Sequence, residues 1–103
     1  MTQHGRQTVV RVKIAGRVQG VGYRYWLTRE ALRHSVQGWV RNRSHGEVEA
    51  LPVGTPEAIA ALCKVCWQGP PAAQVSDVVQ TPADAEDEAD IAQIKGFRQI
   101  ATL

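Results

Sequence analysis

Residues 16–24 read Gly-Arg-Val-Gln-Gly-Val-Gly-Tyr-Arg, three glycines closely followed by an arginine. Glycines let a backbone bend sharply and turn its N–H groups outward. A helix that begins there adds unpaired donors and a partial positive charge. Arg24 falls in the first turn of such a helix, where a planar guanidinium can fold back over the loop and grip two phosphate oxygens. Together these features make a cradle for a phosphate dianion. Residue types alone leave a second reading open, a strand–turn–helix joint with a surface arginine.

What the loop lacks restricts the chemistry. It has no Gly-Lys-Ser/Thr ending of a Walker loop and not the glycine spacing of a dinucleotide fingerprint. Its residues include no thiol, and Cys63 and Cys66 lie far away in sequence, so no covalent nucleophile of that type is offered. No metal ligand set is evident, and no cofactor is expected. Hydrolysis of an ordinary phosphate monoester is among the slowest reactions known and usually needs a metal or a nucleophile. An acyl phosphate differs, because its carboxylate leaves without a general acid. Charge stabilisation and a well-placed water then suffice.

The elements that would position this loop follow from hydropathy patterning. Val9 to Ile14 alternates apolar and charged residues, with Val10, Val12 and Ile14 on one face, which predicts a strand. A turn is expected at Gly16, Gly20 and Gly22. Tyr23 to about Arg33 has the helical spacing Tyr23, Trp26, Leu27, Ala31. Val36–Arg41 and Glu47–Val53 flank the turn Asn42–Gly46 and predict a hairpin. Thr55-Pro56-Glu57 starts a second helix with the buried stripe Ile59, Leu62, Cys63, Cys66, and Gln68-Gly69-Pro70-Pro71 ends it. Val75–Gln80 is a fourth strand. Gly96–Leu103 supplies a short last one. The order β-α-β-β-α-β plus a terminal strand predicts an α+β, ferredoxin-like (split βαβ) fold, an antiparallel sheet with two helices on one face. The 103 residues suffice for one domain, with residues 1–7 as a loose tail.

Charge is uneven. Residues 1–50 carry nine Lys/Arg against three Asp/Glu, a balance of +6; residues 51–103 carry three against seven, a balance of −4. The basic half suits an anionic ligand, while a total of +2 argues against a nucleic-acid coat. No apolar run approaches the roughly 20 residues of a membrane span, and Met1–Gln7 lacks a signal-peptide core. A cytoplasmic monomer, with no membrane and no nucleic-acid partner, is the expectation.

Ile14–Arg24 resembles the phosphate loop of the acylphosphatase family, and Gly38-Trp39-Val40-Arg41-Asn42 with Gly46, Val48 and Gly54 resembles its second motif. The agreement in element order runs along nearly all of residues 8–103. The resemblance implies hydrolysis of the carboxyl–phosphate bond of a small acyl phosphate. It implies that Arg24 and the backbone of Gln19, Gly20, Val21, Gly22, Tyr23 and Arg24 bind the phosphate, and that the Asn42 amide orients the water for in-line attack. Read on its own, Asn42 is a turn residue, since Asn tolerates positive φ. Tyr23 stands where the family more often has Phe or Met, and its hydroxyl is expected to reach solvent or the loop. His34-Ser35 replaces a common Leu-Gly, which sets His34 on the helix face expected to be buried.

Other features have plainer readings. Cys63 and Cys66 lie mid-helix on the apolar stripe and read as buried structural thiols, since redox pairs sit at helix N-termini. The tryptophans read as core or core-edge residues, with Trp67 exposed. The acidic run Asp84–Asp90 reads as a solvated loop. Two alternatives belong to other classes. An RNA-recognition module shares the layout but needs stacking aromatics on its central strands, and Val9–Ile14 and Glu47–Val53 have none. A non-catalytic phosphate- or carbamoyl-phosphate-binding module would keep the loop without turnover.

Overall fold

The computed structural model describes residues 7–84, 86–87 and 94–103. The chain runs β1 (Thr8–Arg17), α1 (Tyr23–Arg33), β2 (Gln37–Asn42), β3 (Val48–Gly54), α2 (Pro56–Cys66), β4 (Gln74–Pro82) and β5 (Phe97–Gln99). The sheet order is β4-β1-β3-β2-β5. β1 pairs antiparallel with β3 and β4, and β2 pairs antiparallel with β3. The ferredoxin-like arrangement stands, with one correction. β5 runs parallel to β2, Gly38 opposite Phe97 and Val40 opposite Gln99, so the sheet is mixed rather than antiparallel.

The alternation read in the sequence sorts the two faces. Val12, Ile14, Val40, Val48 and Ala50 meet Tyr23, Leu27 and Ala31 of α1 and Ile59, Leu62, Cys63 and Cys66 of α2 in one core. Both helices therefore cover the same face. Burying a large side chain there contributes about 1.5–3 kcal/mol, which drives both amphipathic helices onto the sheet. The opposite face carries a smaller cluster, Trp39, Leu51 and Val53, beside a group of charges. Glu49 of β3 is only 1% exposed and is paired with Arg11, Arg41 and Arg43. Arg41 also lies over the Trp39 ring, 4.7 Å from its centroid. The face that would stack bases in an RNA-recognition module is thus occupied at its centre by Arg11 and Glu49, and its aromatic residue is covered.

Four local readings need correction. Gly16 is not a turn. β1 continues through it to Arg17, with a register shift where Ala15 faces Asp77 and Gly16 faces Val75. A Cβ on Gly16 would lie 2.2 Å from the Gln74 carbonyl oxygen, so this bulge accepts only glycine without moving backbone. Asn42 is the last paired residue of β2, opposite Val48, rather than a turn residue. His34 is the C-cap of α1 and only half-buried, because the helix stops there instead of carrying it inward. Asp87 is buried rather than solvated, since its carboxylate pairs with Arg11 and accepts the Asp84 N–H, while its own N–H donates to the Asp84 carboxylate. Residues 85 and 88–90 of the acidic run lie outside the described residues.

The start of α2 and the end of α1 follow ordinary chemistry with one exception. The Thr55 hydroxyl accepts the Ala58 N–H at 3.1 Å, with Pro56 in the first helical position. α1 closes with Val36 N–H to Ala31 C=O at 2.8 Å and Ser35 N–H to Leu32 C=O at 3.2 Å. This is a Schellman closure, whose left-handed residue is usually glycine. Here Ser35 occupies it at φ 57°.

Candidate active site

The loop between β1 and α1 ends on Gly22, the N-cap of α1, at φ 82° and ψ 19°. Gly22 offers no side-chain cap, and the first turn of α1 contains no acidic residue. A helix start normally gathers an oxygen side chain or an acid to satisfy its free N–H groups. This one presents them with Arg24 alongside, a basic residue where the helix dipole disfavours one. Among the described residues Arg24 has no carboxylate partner. The arrangement is unfavourable in isolation and favourable around an anion.

A cavity of about 130 Å³ opens at this helix start. It is lined by Gly20, Gly22 and Arg24 from the loop and α1, by Asn42 at the end of β2, and by Tyr25 and Gln99. Gln19 and Tyr23 also border it, whereas Val21 does not and packs against the core. The chain therefore brings Arg24 and Asn42, 18 positions apart, to one cavity, because α1 crosses back over the sheet and lets β2 run in the same direction as β1, ending where the loop lies. The Asn42 Oδ1 is buried and has no hydrogen-bond partner among the described residues. An unpaired buried amide oxygen costs about 1–3 kcal/mol, and such groups collect where a bound donor satisfies them.

A larger groove of about 460 Å³ lies between α2 and strands β1 and β4. It carries one charged side chain, Lys64, and no glycine loop, and the helix start at its edge, Pro56 of α2, is already capped by Thr55, which leaves the smaller cavity as the candidate site. Residues 10–99 match the acylphosphatase family model. The chain belongs to the acylphosphatase family. It is 46% identical over 97 residues to the acylphosphatase of Nitrobacter winogradskyi, covering 94% of this chain and 98% of that one. It is 48% identical over 98 residues to the acylphosphatase of Nitrobacter hamburgensis, covering 95% of each. Its fold matches an acylphosphatase structure from Coxiella burnetii with a TM-score of 0.82 and 34% identity, over 97% of this chain and all of that chain. The protein is accordingly a hydrolase whose substrate class is the small acyl phosphate.

Within this acylphosphatase, Tyr23 departs from what its position suggested. Its hydroxyl faces neither solvent nor the loop. It donates a buried hydrogen bond of 2.7 Å to the Cys66 carbonyl and so ties the start of α1 to the end of α2. Burial, with the neighbouring Cys66, holds the phenol far above its ordinary pKa and keeps it a donor. The two thiols are equally removed from chemistry. Burial pushes Cys63 up to about 11 and Cys66 to about 12. No group of three His, Cys, Asp or Glu able to hold a metal ion occurs among the described residues.

Sequence reasoning missed Tyr25 and Gln99 at the cavity and the side-chain role of Gln19. Gln99 gives no local signal, since only the parallel docking of β5 on β2 brings it there. Tyr25 is an exposed residue on the helix, held beside Arg29 by a 3.1 Å hydrogen bond. Gln19 sits in the recognised loop, but its partners are 24 and 28 residues away.

Proposed function

We propose that this enzyme hydrolyses acyl phosphates by direct attack of water on phosphorus. The phosphate rests on Arg24 and the backbone N–H groups of Gln19–Arg24, and the Asn42 carboxamide orients the water. The observation that carries this reading is the convergence of an uncapped helix start, a carboxylate-free arginine and an unpaired buried amide on one cavity. Each is unfavourable without a ligand, and one phosphate with its attacking water satisfies all three.

The roles divide by charge. The dianion needs neutralising as the water approaches, which the guanidinium and the helix start provide in a preorganised form. Water is a weak nucleophile and must be aligned in line with the P–O bond to the carboxylate. A carboxamide accepts a water proton in hydrogen bonding and leaves a lone pair directed at phosphorus. The bond from phosphorus to water oxygen forms as the P–O bond to the acyl group breaks. The carboxylate leaves as an anion, so neither a general acid nor a resident metal is required.

Hydrolysis of benzoyl phosphate with a chelator present, in water enriched in ¹⁸O, tests this directly. The label is expected in inorganic phosphate and not in benzoate, while para-nitrophenyl phosphate reacts poorly. Label in benzoate would mean attack at the carbonyl carbon, and loss of activity with chelator would mean a metal-dependent reaction.

A further inference from the structure

The Gln19 side chain spans two strands at a decisive point. Its Nε2 donates to the Arg43 carbonyl at 2.8 Å and to the Glu47 carbonyl at 2.9 Å. Those carbonyls already close the mouth of the β2–β3 hairpin, through Gly46 N–H to Arg43 C=O at 3.0 Å and Arg43 N–H to Glu47 C=O at 2.8 Å. Gln19 supplies each with a second donor. Both amide hydrogens are used on oxygens, so only the NH₂ end can face the hairpin. The bridged residues lie directly beyond the Asn42–Val48 pair.

On the loop side, Gln19 stands at the head of the segment whose N–H groups hold phosphate in the reading above. The glycines that follow it, Gly20 and Gly22, have φ of 75° and 82° and open space where a Cβ would be. Val18, Val21 and Tyr23 anchor the loop to the core, but packing at the two glycines does little to fix the height of its crest over the strand end. The two Gln19 bonds do so, and they do it at the residue next to Asn42. We propose that Gln19 is a positioning residue, a clamp that sets the separation between the bound phosphate and the water held by Asn42, acting through the hairpin. The proposal rests on the roles given above to the loop and Asn42. An in-line attack tolerates little misplacement, and an error of about 1 Å costs on the order of 100-fold in rate.

The clamp predicts a specific division of effects. Gln19→Leu keeps the bulk and removes both donors. Its kcat on benzoyl phosphate is expected to fall roughly 10- to 100-fold. The inhibition constant of inorganic phosphate should stay within about threefold of wild type, because Arg24 and the loop N–H groups remain. Gln19→Glu provides the second arm. Ionised, it faces two carbonyls without a donor; protonated, it regains one. Its kcat relative to wild type is therefore expected to rise as pH falls from 7 towards 5. A lowered melting temperature with unchanged kcat would overturn the proposal, as would a phosphate constant that rises while kcat holds. Should wild type prove inactive on acyl phosphates, the Asn42 carboxamide resonance still tests the clamp. It is expected to shift on addition of inorganic phosphate by a different amount in Gln19→Leu than in wild type, and an equal shift in both would refute the coupling.

Discussion

Replacing Glu49 with glutamine should destabilise the fold by about 3 kcal/mol, by breaking the charge cluster on the helix-free face. The carboxylate is 1% exposed, and its partners Arg11, Arg41 and Arg43 are 22%, 17% and 28% exposed. Each contact is worth on the order of 4 kcal/mol at an effective dielectric near 20. The desolvation cost of the carboxylate and the repulsion among the three guanidiniums offset most of that sum. Loss of one member of a buried pair typically costs about 3–5 kcal/mol. The lower end applies because the arginine heads reach water and glutamine keeps the shape and one acceptor oxygen. For a domain of this size the melting temperature should fall by roughly 12 °C or more.

The pH dependence separates charge from packing. Burial alone would raise the Glu49 pKa, but hydrogen bonds from Arg43, Arg41 and Arg11 overcome it and hold the group below its ordinary value. A carboxylate with a depressed folded pKa contributes stability above its unfolded pKa of about 4.3 and loses it as pH falls through the folded value. Thermal melts of wild type and Glu49→Gln should therefore differ most at pH 5 and above, and the difference should shrink as pH falls below about 4.3. A difference under about 0.5 kcal/mol at neutral pH, or one equally large at pH 3, would refute this account of the cluster.

Three further outcomes are expected. Ser35→Gly should stabilise by about 0.5–1 kcal/mol in chemical denaturation, because a left-handed serine costs more than the added freedom of glycine in the unfolded chain. Inorganic phosphate at ten times its dissociation constant should stabilise by about 1.4 kcal/mol, visible as a raised melting temperature that Arg24→Ala loses at the same concentration. Iodoacetamide at pH 8 should leave Cys63 and Cys66 unmodified in the native protein and label both on unfolding, since both thiols are buried with pKa values raised to about 11 and about 12.

The parts of this structure legible in the sequence are those with a local cause. Tyr23, Leu27 and Ala31 announce α1 by their spacing, and Thr55-Pro56 announces α2 by its cap. The glycine loop and Arg24 are one continuous segment, so their placement together at the start of α1 reads directly. What escapes depends on partners distant in the chain. Gly16 looks like a turn because its reason, the Gln74 carbonyl 2.2 Å from where a Cβ would sit, lies across the sheet. Asp87 looks solvated until Arg11 is placed beside it. β5 reads as a strand, but its parallel direction depends on the edge of β2 that it joins. Asn42 is the instructive case. Its residue type suggests a turn, and only the folded chain places its unpaired amide oxygen on a cavity that Arg24 also lines.

The measurement closest to the central claim is steady-state hydrolysis of benzoyl phosphate by wild type, Arg24→Ala and Asn42→Ala, each checked for folding, with inorganic phosphate as inhibitor. Arg24→Ala is expected to weaken phosphate binding by about 10- to 100-fold, the worth of a lost charge-assisted contact. Asn42→Ala is expected to lower kcat by roughly 10²- to 10³-fold with the phosphate constant little changed, since the water loses its orientation and the cradle does not. An Asn42→Ala enzyme that keeps wild-type kcat would contradict the account, and so would an Arg24→Ala enzyme that binds phosphate as wild type does.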